Sequence, residues 1–130
     1  EYIHEAPGGE PETGLAALGH FLKLQERPTA YVCYNDLMAI GLLKGLQESG
    51  IRVPQEASVA GFDNIKYSAH TNPALTTLDQ PKRFIGEEAA RLLLELLESP
   101  APGELRAEPE IRILKGSLLV RESTAPPPHY

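Results

Sequence analysis

The stretch that decides the fold is NDLMAIGLLKGLQESGIRVPQEASVAGFDN, residues 35–64. Its first half predicts a helix from Asp36 to about Ser49, because apolar residues recur there at helical spacing. Gly50 then supplies the glycine with which helices commonly end. After a short connector, Ala57–Ala60 is an apolar run typical of a buried strand, and the stretch ends with the carboxylate of Asp63. The stretch thus contains one helix followed by one strand.

The preceding sequence continues this alternation. Pro11 predicts the start of a helix, which we expect to close after Arg27 because Pro28 follows it. Ala30–Tyr34 then predicts a short buried strand. Helices and strands that alternate in this way favour parallel strands joined by crossover helices. The sequence therefore predicts an α/β fold with a parallel sheet and flanking helices.

The remaining sequence predicts further elements in the same order. A short helical turn near 66–69 precedes an extended segment, and Pro81 begins a helix with a broad apolar stripe that reaches Glu98. The later segments are predicted to be the extended Leu75–Leu78, a surface loop over 99–109, two short strands over 111–114 and 118–121, and a mobile tail over 125–130.

Composition and charge narrow the classes of function. The 130 residues are 42% hydrophobic and 23% charged, which is typical of one globular domain. A net charge of −6 with scattered basic residues makes this chain a poor binder of phosphates. The single cysteine, Cys33, fits a reducing compartment, and no apolar stretch approaches the roughly 20 residues of a membrane span. The opening residues carry no capping signal, so we expect the chain to begin within a larger fold.

Polar side chains follow two of the predicted strands. Asn35 comes after the strand over 30–34, and Asp63 comes after the next strand. Because ligands bind outside the carboxyl ends of parallel strands, we expect Asn35 and Asp63 to share one edge of the sheet. A carboxylate accepts from hydroxyls and an amide both donates and accepts. This pair suits a small polyhydroxylated or nitrogenous ligand.

Other interpretations of these residues remain open. Asp36 stands where a helix cap belongs, and capping is favoured over ligand contact there. Asn35 fits ligand binding and loop architecture equally well. Asp36 and Asp63 could form an acid–base pair of an enzyme, but no nucleophile with a base partner, phosphate-binding glycine loop or metal-ligand spacing accompanies them. We therefore predict no catalytic residue, no metal and no cofactor.

The predicted helix over 36–49 also suggests a contact with a partner. Leu37 and Ile40 project onto the side that carries Lys44 and other polar residues, opposite the main apolar face. Single exposed apolar residues are common on protein surfaces. A partner subunit is the alternative explanation of this pair.

Three stretches together resemble the LacI/GalR family of bacterial transcription regulators. They are residues 35–64 quoted above, NPALTTLDQP over 72–81, and LLVRESTAPP over 118–127, in the family's order and spacing. The resemblance implies a fragment of a type I periplasmic-binding-protein-like core, in which an effector binds between two subdomains. It assigns residues 1–78 to the later part of the C-terminal effector-binding subdomain and 79–124 to a crossover, helix and strands that return to the N-terminal subdomain.

The resemblance also implies roles for individual residues. Asn35, Asp63 and Gln80 match the family's effector contacts. Leu37, Ile40 and Lys44 on the helix, with Ala69, His70 and Thr71 in a loop, match surfaces that the family uses for a homodimer. Two positions depart from the family pattern: Gly8-Gly9 stands where members often stack an aromatic on the ligand, and Asn64 stands where many have a second acid.

The implied function is the effector-binding and dimerisation part of a cytoplasmic LacI-type regulator. We expect this regulator to be a repressor that responds to a small polar ligand such as a sugar or nucleoside-like metabolite. Operator DNA would be bound through a DNA-binding domain that this chain does not contain, and no membrane partner is implied. The alternative is the substrate-binding component of a sugar transporter, which shares the fold.

Overall fold

The computed structural model describes residues 2–98 and 111–127. Helices and strands alternate, as the sequence predicts, and a short 3₁₀ turn at Lys66–His70 precedes the third strand. The elements are α1 (Pro11–Phe21), β1 (Ala30–Val32), α2 (Asp36–Glu48), β2 (Ser58–Phe62), β3 (Thr76–Asp79), α3 (Lys82–Leu97) and β4 (Ser117–Leu119).

The strands form one sheet in the order β1-β2-β3-β4. β1 pairs with β2 and β2 pairs with β3, both in parallel, with Tyr31 opposite Val59 and Gly61 opposite Thr77. The predicted α/β class and parallel sheet are therefore confirmed. This arrangement brings the carboxyl ends of β1, β2 and β3 to one edge of the sheet.

Several element boundaries differ from the sequence prediction. α1 ends at Phe21 rather than near Arg27, because the amides of Lys23 and Leu24 donate to carbonyls three residues back instead of four. The predicted strand over 111–114 is irregular, and Ile111 and Ile113 are exposed. The loop predicted over 99–109 and the last three residues of the predicted tail lie outside the described residues.

β4 also ends two residues earlier than predicted. The amide of Arg121 donates to the Thr76 hydroxyl, and the amides of Glu122 and Ser123 both donate to the Ala74 carbonyl. These hydrogen bonds take the place of the strand-to-strand bonds that would have continued β4. Ala125, in the segment predicted to be mobile, exchanges hydrogen bonds with the Ser58 hydroxyl.

The described residues divide into two units. The first comprises the residues up to Asp79 and those from Leu118 onward, and the second is Gln80–Ser117. In the second unit Arg112 pairs with Glu88 at 2.6 Å and with Glu95 at 3.4 Å. Several large apolar side chains of α3 are exposed, namely Phe84, Ile85, Leu93, Leu94, Leu96 and Leu97. In the part of the chain that the structure describes, no helix is both long and apolar enough to cross a membrane.

Two glycines allow α1 and α2 to pack closely in the first unit. A Cβ atom at Gly14 would collide with the backbone of Met38, and one at Gly41 would collide with the backbone of Pro11. The helices cover a core formed by residues from both helices and the sheet, which includes Leu18, Tyr31, Leu42, Leu46, Val59 and Leu75. The packing of α2 on the sheet fixes where the amino terminus of α2 lies.

We expect Gly41→Ala to lower the free energy of unfolding by about 2–3 kcal/mol, because backbone cannot yield to the added methyl group as a flexible side chain could. Gly19→Ala is the matched control, since Gly19 also lies in a helix but a Cβ there meets nothing within 4 Å. The control should gain about 0.5–1 kcal/mol. Urea denaturation of both variants checks this, and equal effects would contradict the close helix contact.

Candidate functional site

Asn35 and Asp63 lie at the same edge of the sheet, as the sequence predicts. Asp63 directly follows β2, and Asn35 stands between β1 and α2. Because β1 and β2 are parallel neighbours, the chain leaves both strands in the same direction. The candidate site is therefore built on loops that a rigid sheet positions.

Asn35 is the N-cap of α2. Its Oδ1 accepts a hydrogen bond from the Met38 amide at 2.8 Å, and its Nδ2 donates to the Gly9 carbonyl at 3.0 Å. An amide oxygen has a second lone pair and an amide nitrogen has a second hydrogen. Asn35 is thus a structural residue whose side chain has the capacity to bind a ligand as well.

Gly9 lies directly against the side chain of Asn35. A Cβ atom at Gly9 would lie 2.6 Å from Asn35 Nδ2, so any larger residue would displace the amide. Where members of the family often have an aromatic residue, this chain thus has a hydrogen bond between the loop and the start of α2.

Asp36 is a buried anchor rather than a helix cap, so the predicted capping role is wrong. Asn35, which precedes the first helical residue, already supplies the capping oxygen. The Asp36 carboxylate is fully buried and accepts from the Thr77 hydroxyl at 2.5 Å and from the Ile65 amide at 2.8 Å. It joins the start of α2 to β3 and to the loop after β2.

The environment of Cys33 makes a reactive thiol unfavourable. Burial, and secondarily the negative charge of Asp36, raises the pKa of the Cys33 thiol to about 12. At neutral pH the group is therefore the protonated thiol, whereas the nucleophile is the thiolate. Cys33 serves as a small apolar residue that packs against the core.

Asp63 has an unusual backbone conformation. Its φ angle is +111°, and that of the next residue, Asn64, is +49°. A residue with a side chain has a cost of about 1–3 kcal/mol in such a region, and these conformations cluster at functional sites. Glycine would adopt this conformation without that cost. The conformation therefore makes Asp63 a candidate functional residue.

Asn64 is held by hydrogen bonds on both sides of its amide. Its Nδ2 donates to Asp79 Oδ1 at 3.1 Å, and its Oδ1 accepts from Arg121 Nη2 at 2.9 Å. An ionised aspartate at position 64 could accept from Arg121 but could not donate to Asp79. The departure from the family's second acid is explained by this arrangement. The sequence analysis missed Asp79 and Arg121, because their distance from Asn64 along the chain gives no spacing signal.

Gln80 belongs to the second unit, where its carbonyl accepts from the Lys82 amide at 2.8 Å. Its role as an effector contact stays a prediction from the family resemblance. The same holds for the dimer surface predicted on α2 and the loop near residue 70.

The predicted dimer residues differ in their surroundings. Leu37 is 40% exposed, and Lys44 pairs loosely with Glu48 at 3.8 Å. Ile40 is half-buried and packs against the core, so its projection onto the polar side of the helix understates its burial. In the loop, Ala69 and His70 are exposed, whereas Thr71 is half-buried and donates to nearby carbonyls.

The chain belongs to the periplasmic binding protein-like domain family, whose model matches residues 2–124. It is 46% identical over 89 residues to the HTH-type transcriptional repressor PurR of Vibrio atlanticus, a match that covers 68% of this chain and 27% of the relative. The chain spans about 27–34% of the length of such curated relatives.

Solved structures of related regulators have the same fold. A LacI family transcriptional regulator from Enterococcus faecalis with bound ribose superposes with a TM-score of 0.76 at 34% identity, covering 94% of this chain and 43% of that one. A regulator from Arthrobacter in complex with lactose gives 0.72 at 35% identity, covering 89% and 42%. These findings confirm the resemblance to LacI-type regulators.

We expect Asp36→Ala to lower the free energy of unfolding by about 3 kcal/mol, because it leaves the Thr77 hydroxyl and the Ile65 amide without their acceptor. Glu12→Ala is the matched control, since Glu12 is an exposed acid in the first turn of α1. Its loss should stay below about 1 kcal/mol. Guanidinium denaturation of both variants measures the difference, and a loss at Asp36 no larger than at Glu12 would contradict the anchoring role.

Proposed function

We propose that this chain is the effector-binding part of a dimeric LacI-type transcriptional regulator, and that the effector is a small polar ligand such as a sugar or nucleoside. The observation that carries the proposal is the carboxylate of Asp63, which lies at the carboxyl edge of the sheet on a backbone with a φ angle of +111°. The ribose and lactose bound to related regulators support this class of effector.

The proposed contacts follow from hydrogen-bonding chemistry. The Asp63 carboxylate accepts bonds from ligand hydroxyl or N–H groups, and Asn35 adds one donor and one acceptor. Gln80 contributes a second amide. Hydrogen bonds to a charged group contribute about 1.5–3 kcal/mol each, so Asp63 provides the largest polar term of the three.

Regulation would proceed by a population shift. An effector that binds one arrangement of the intact core more tightly than another favours that arrangement. In a dimer this change would set the spacing of two DNA-binding heads, which contact operator DNA outside the chain described here. The net charge of −6 supports a model in which this part of the regulator binds the effector and another part binds the phosphates of DNA. We place the regulator in the cytoplasm, where DNA is accessible.

The comparisons favour a regulator over the transporter alternative, because the related proteins named above are a repressor and two transcriptional regulators. The geometry disfavours the enzyme alternative. Asp36 is buried and its two oxygens already accept bonds from Thr77 and Ile65. An acid–base pair of Asp36 and Asp63 would have to break those bonds in order to act on a substrate.

We expect Asp63→Asn to weaken effector binding by about tenfold or more, because it removes the charge from the main acceptor. Asparagine tolerates left-handed backbone conformations, so the fold should be kept. Calorimetric titration of the intact protein with ribose, lactose and adenosine identifies the ligand and measures its affinity in the variant. Glu48→Gln, at an exposed acid of α2, is the charge-matched control. Unchanged affinity in Asp63→Asn would contradict the site.

We expect Leu37→Asp to weaken dimerisation by about tenfold or more, because a charge replaces an apolar contact in the proposed interface. Leu37 is a cleaner test than Ile40, which also packs against the core. Leu15→Asp is the matched control, since Leu15 is 36% exposed on α1 and Leu37 is 40% exposed. Sedimentation velocity measures both variants. A dimer that Leu37→Asp leaves intact would exclude this face of α2 as the interface.

A further inference from the structure

The Arg121 side chain joins several parts of the first unit by hydrogen bonds. Its Nη1 donates to the Leu75 carbonyl at 2.7 Å and to the Ser68 hydroxyl at 3.0 Å, while its Nη2 donates to Asn64 Oδ1 at 2.9 Å. The planar guanidinium presents its donors in a fixed fork. One side chain thus joins β3, the 3₁₀ turn and the loop that carries Asp63.

The backbone that bears Arg121 is itself fixed to the sheet. The Arg121 amide donates to the Thr76 hydroxyl at 2.9 Å. Ser123 is buried; its hydroxyl donates to the Val59 carbonyl at 2.6 Å and accepts from the Thr76 amide at 2.8 Å. The guanidinium therefore extends from a rigid base toward Asn64.

Asn64 transmits this constraint to Asp63. Its amide group is held between Arg121 and Asp79, and its backbone N–H donates to the Thr77 hydroxyl at 3.2 Å. Asp63 donates its own backbone N–H to the Leu78 carbonyl at 3.0 Å. Two consecutive residues with positive φ angles are thus tied to β3 and to the segment after β4.

We propose that Arg121 is a positioning residue, which holds Asn64 and thereby keeps Asp63 in its left-handed conformation at the ligand-binding edge. The bond from Arg121 to Asn64 is charge-assisted, and such bonds are stronger than those between neutral groups. It opposes the tendency of Asp63 to relax to a negative φ angle. The part of this proposal that concerns the ligand rests on the proposed function.

A thermal double-mutant cycle tests the proposal without any ligand. Asp63→Gly should raise the melting temperature of the intact protein by about 4 °C, since glycine adopts the held conformation without strain. In an Asn64→Ala background the gain should fall to less than half, because the loop is then released and Asp63 can relax. Asn64→Ala keeps the Arg121 bonds to Ser68 and Leu75, so it separates positioning of the loop from general support of the fold.

Arg121→Gln provides the second background, and the gain from Asp63→Gly should shrink there as well. Arg52→Gln is its matched control, because Arg52 is exposed and pairs with Glu56 at 2.7 Å. The full gain should persist in that control. An equal gain in the wild-type, Asn64→Ala and Arg121→Gln backgrounds would overturn the proposal, and so would the absence of any gain in the wild type. If Arg121→Gln does not fold, the Asn64→Ala background decides alone.

Titration with ribose, lactose and adenosine then separates this proposal from the proposed function. We expect Asn64→Ala to weaken the binding of whichever probe binds by about tenfold. Asparagine and alanine are both uncharged, so this loss would not come from a change in charge. Where Asp63→Asn weakens binding, unchanged affinity in Asn64→Ala would show that the loop presents Asp63 without help and would overturn the positioning role. If Asp63→Asn leaves that affinity unchanged while the thermal cycle shows coupling, the site assignment fails and the role of Arg121 in holding the loop stands.

Discussion

The buried carboxylate of Asp36 is the interaction on which the first unit most depends. It lies at the start of α2 and binds the hydroxyl of a β3 residue and the amide of Ile65. A buried carboxylate is costly unless its oxygens accept hydrogen bonds, so these partners must stay where they are. The same contact that stabilises the fold therefore fixes one end of the loop after β2. Asp63 lies at the start of the same loop, directly after β2.

Two neighbouring polar residues at the start of α2 have different roles. Asn35 caps α2 and Asp36 anchors it, although both are short polar residues at the same helix start. The capping oxygen must come from the residue before the first helical turn, because only that residue reaches the free amide of Met38. The next residue points toward the sheet. The Asp36 side chain is therefore structural, whereas Asn35 and Asp63, after the carboxyl ends of β1 and β2, are the ligand contacts that we propose.

The sequence predicts the alternation of elements well and the site network poorly, for physical reasons. The helix over 36–48 and strand over 58–62 follow from apolar periodicity and from turn residues such as Gly50, which are local signals. The end of β4 and the role of Asp36 depend on which distant partner completes a hydrogen bond. Arg121 and Asn64 are 57 positions apart, so no local pattern connects them. The family resemblance supplies Asp63 as a ligand contact, but its left-handed backbone becomes apparent only in the folded chain.

The strain at Asp63 relates stability to function within one loop. Glycine at this position would lower the energy of the backbone, yet it would remove the carboxylate that we propose as a ligand contact. A charged residue keeps this conformation only if its neighbours are held in place. The neighbouring Asn64 is restrained by the side chains of Asp79 and Arg121. Such a loop presents its carboxylate in one orientation before the ligand arrives. Less conformational freedom is then lost on binding, so a rigid and strained loop gives a tighter site than a relaxed and mobile one. On our proposal, Arg121 extends this restraint to the segment after β4, which is distant along the chain from Asp63.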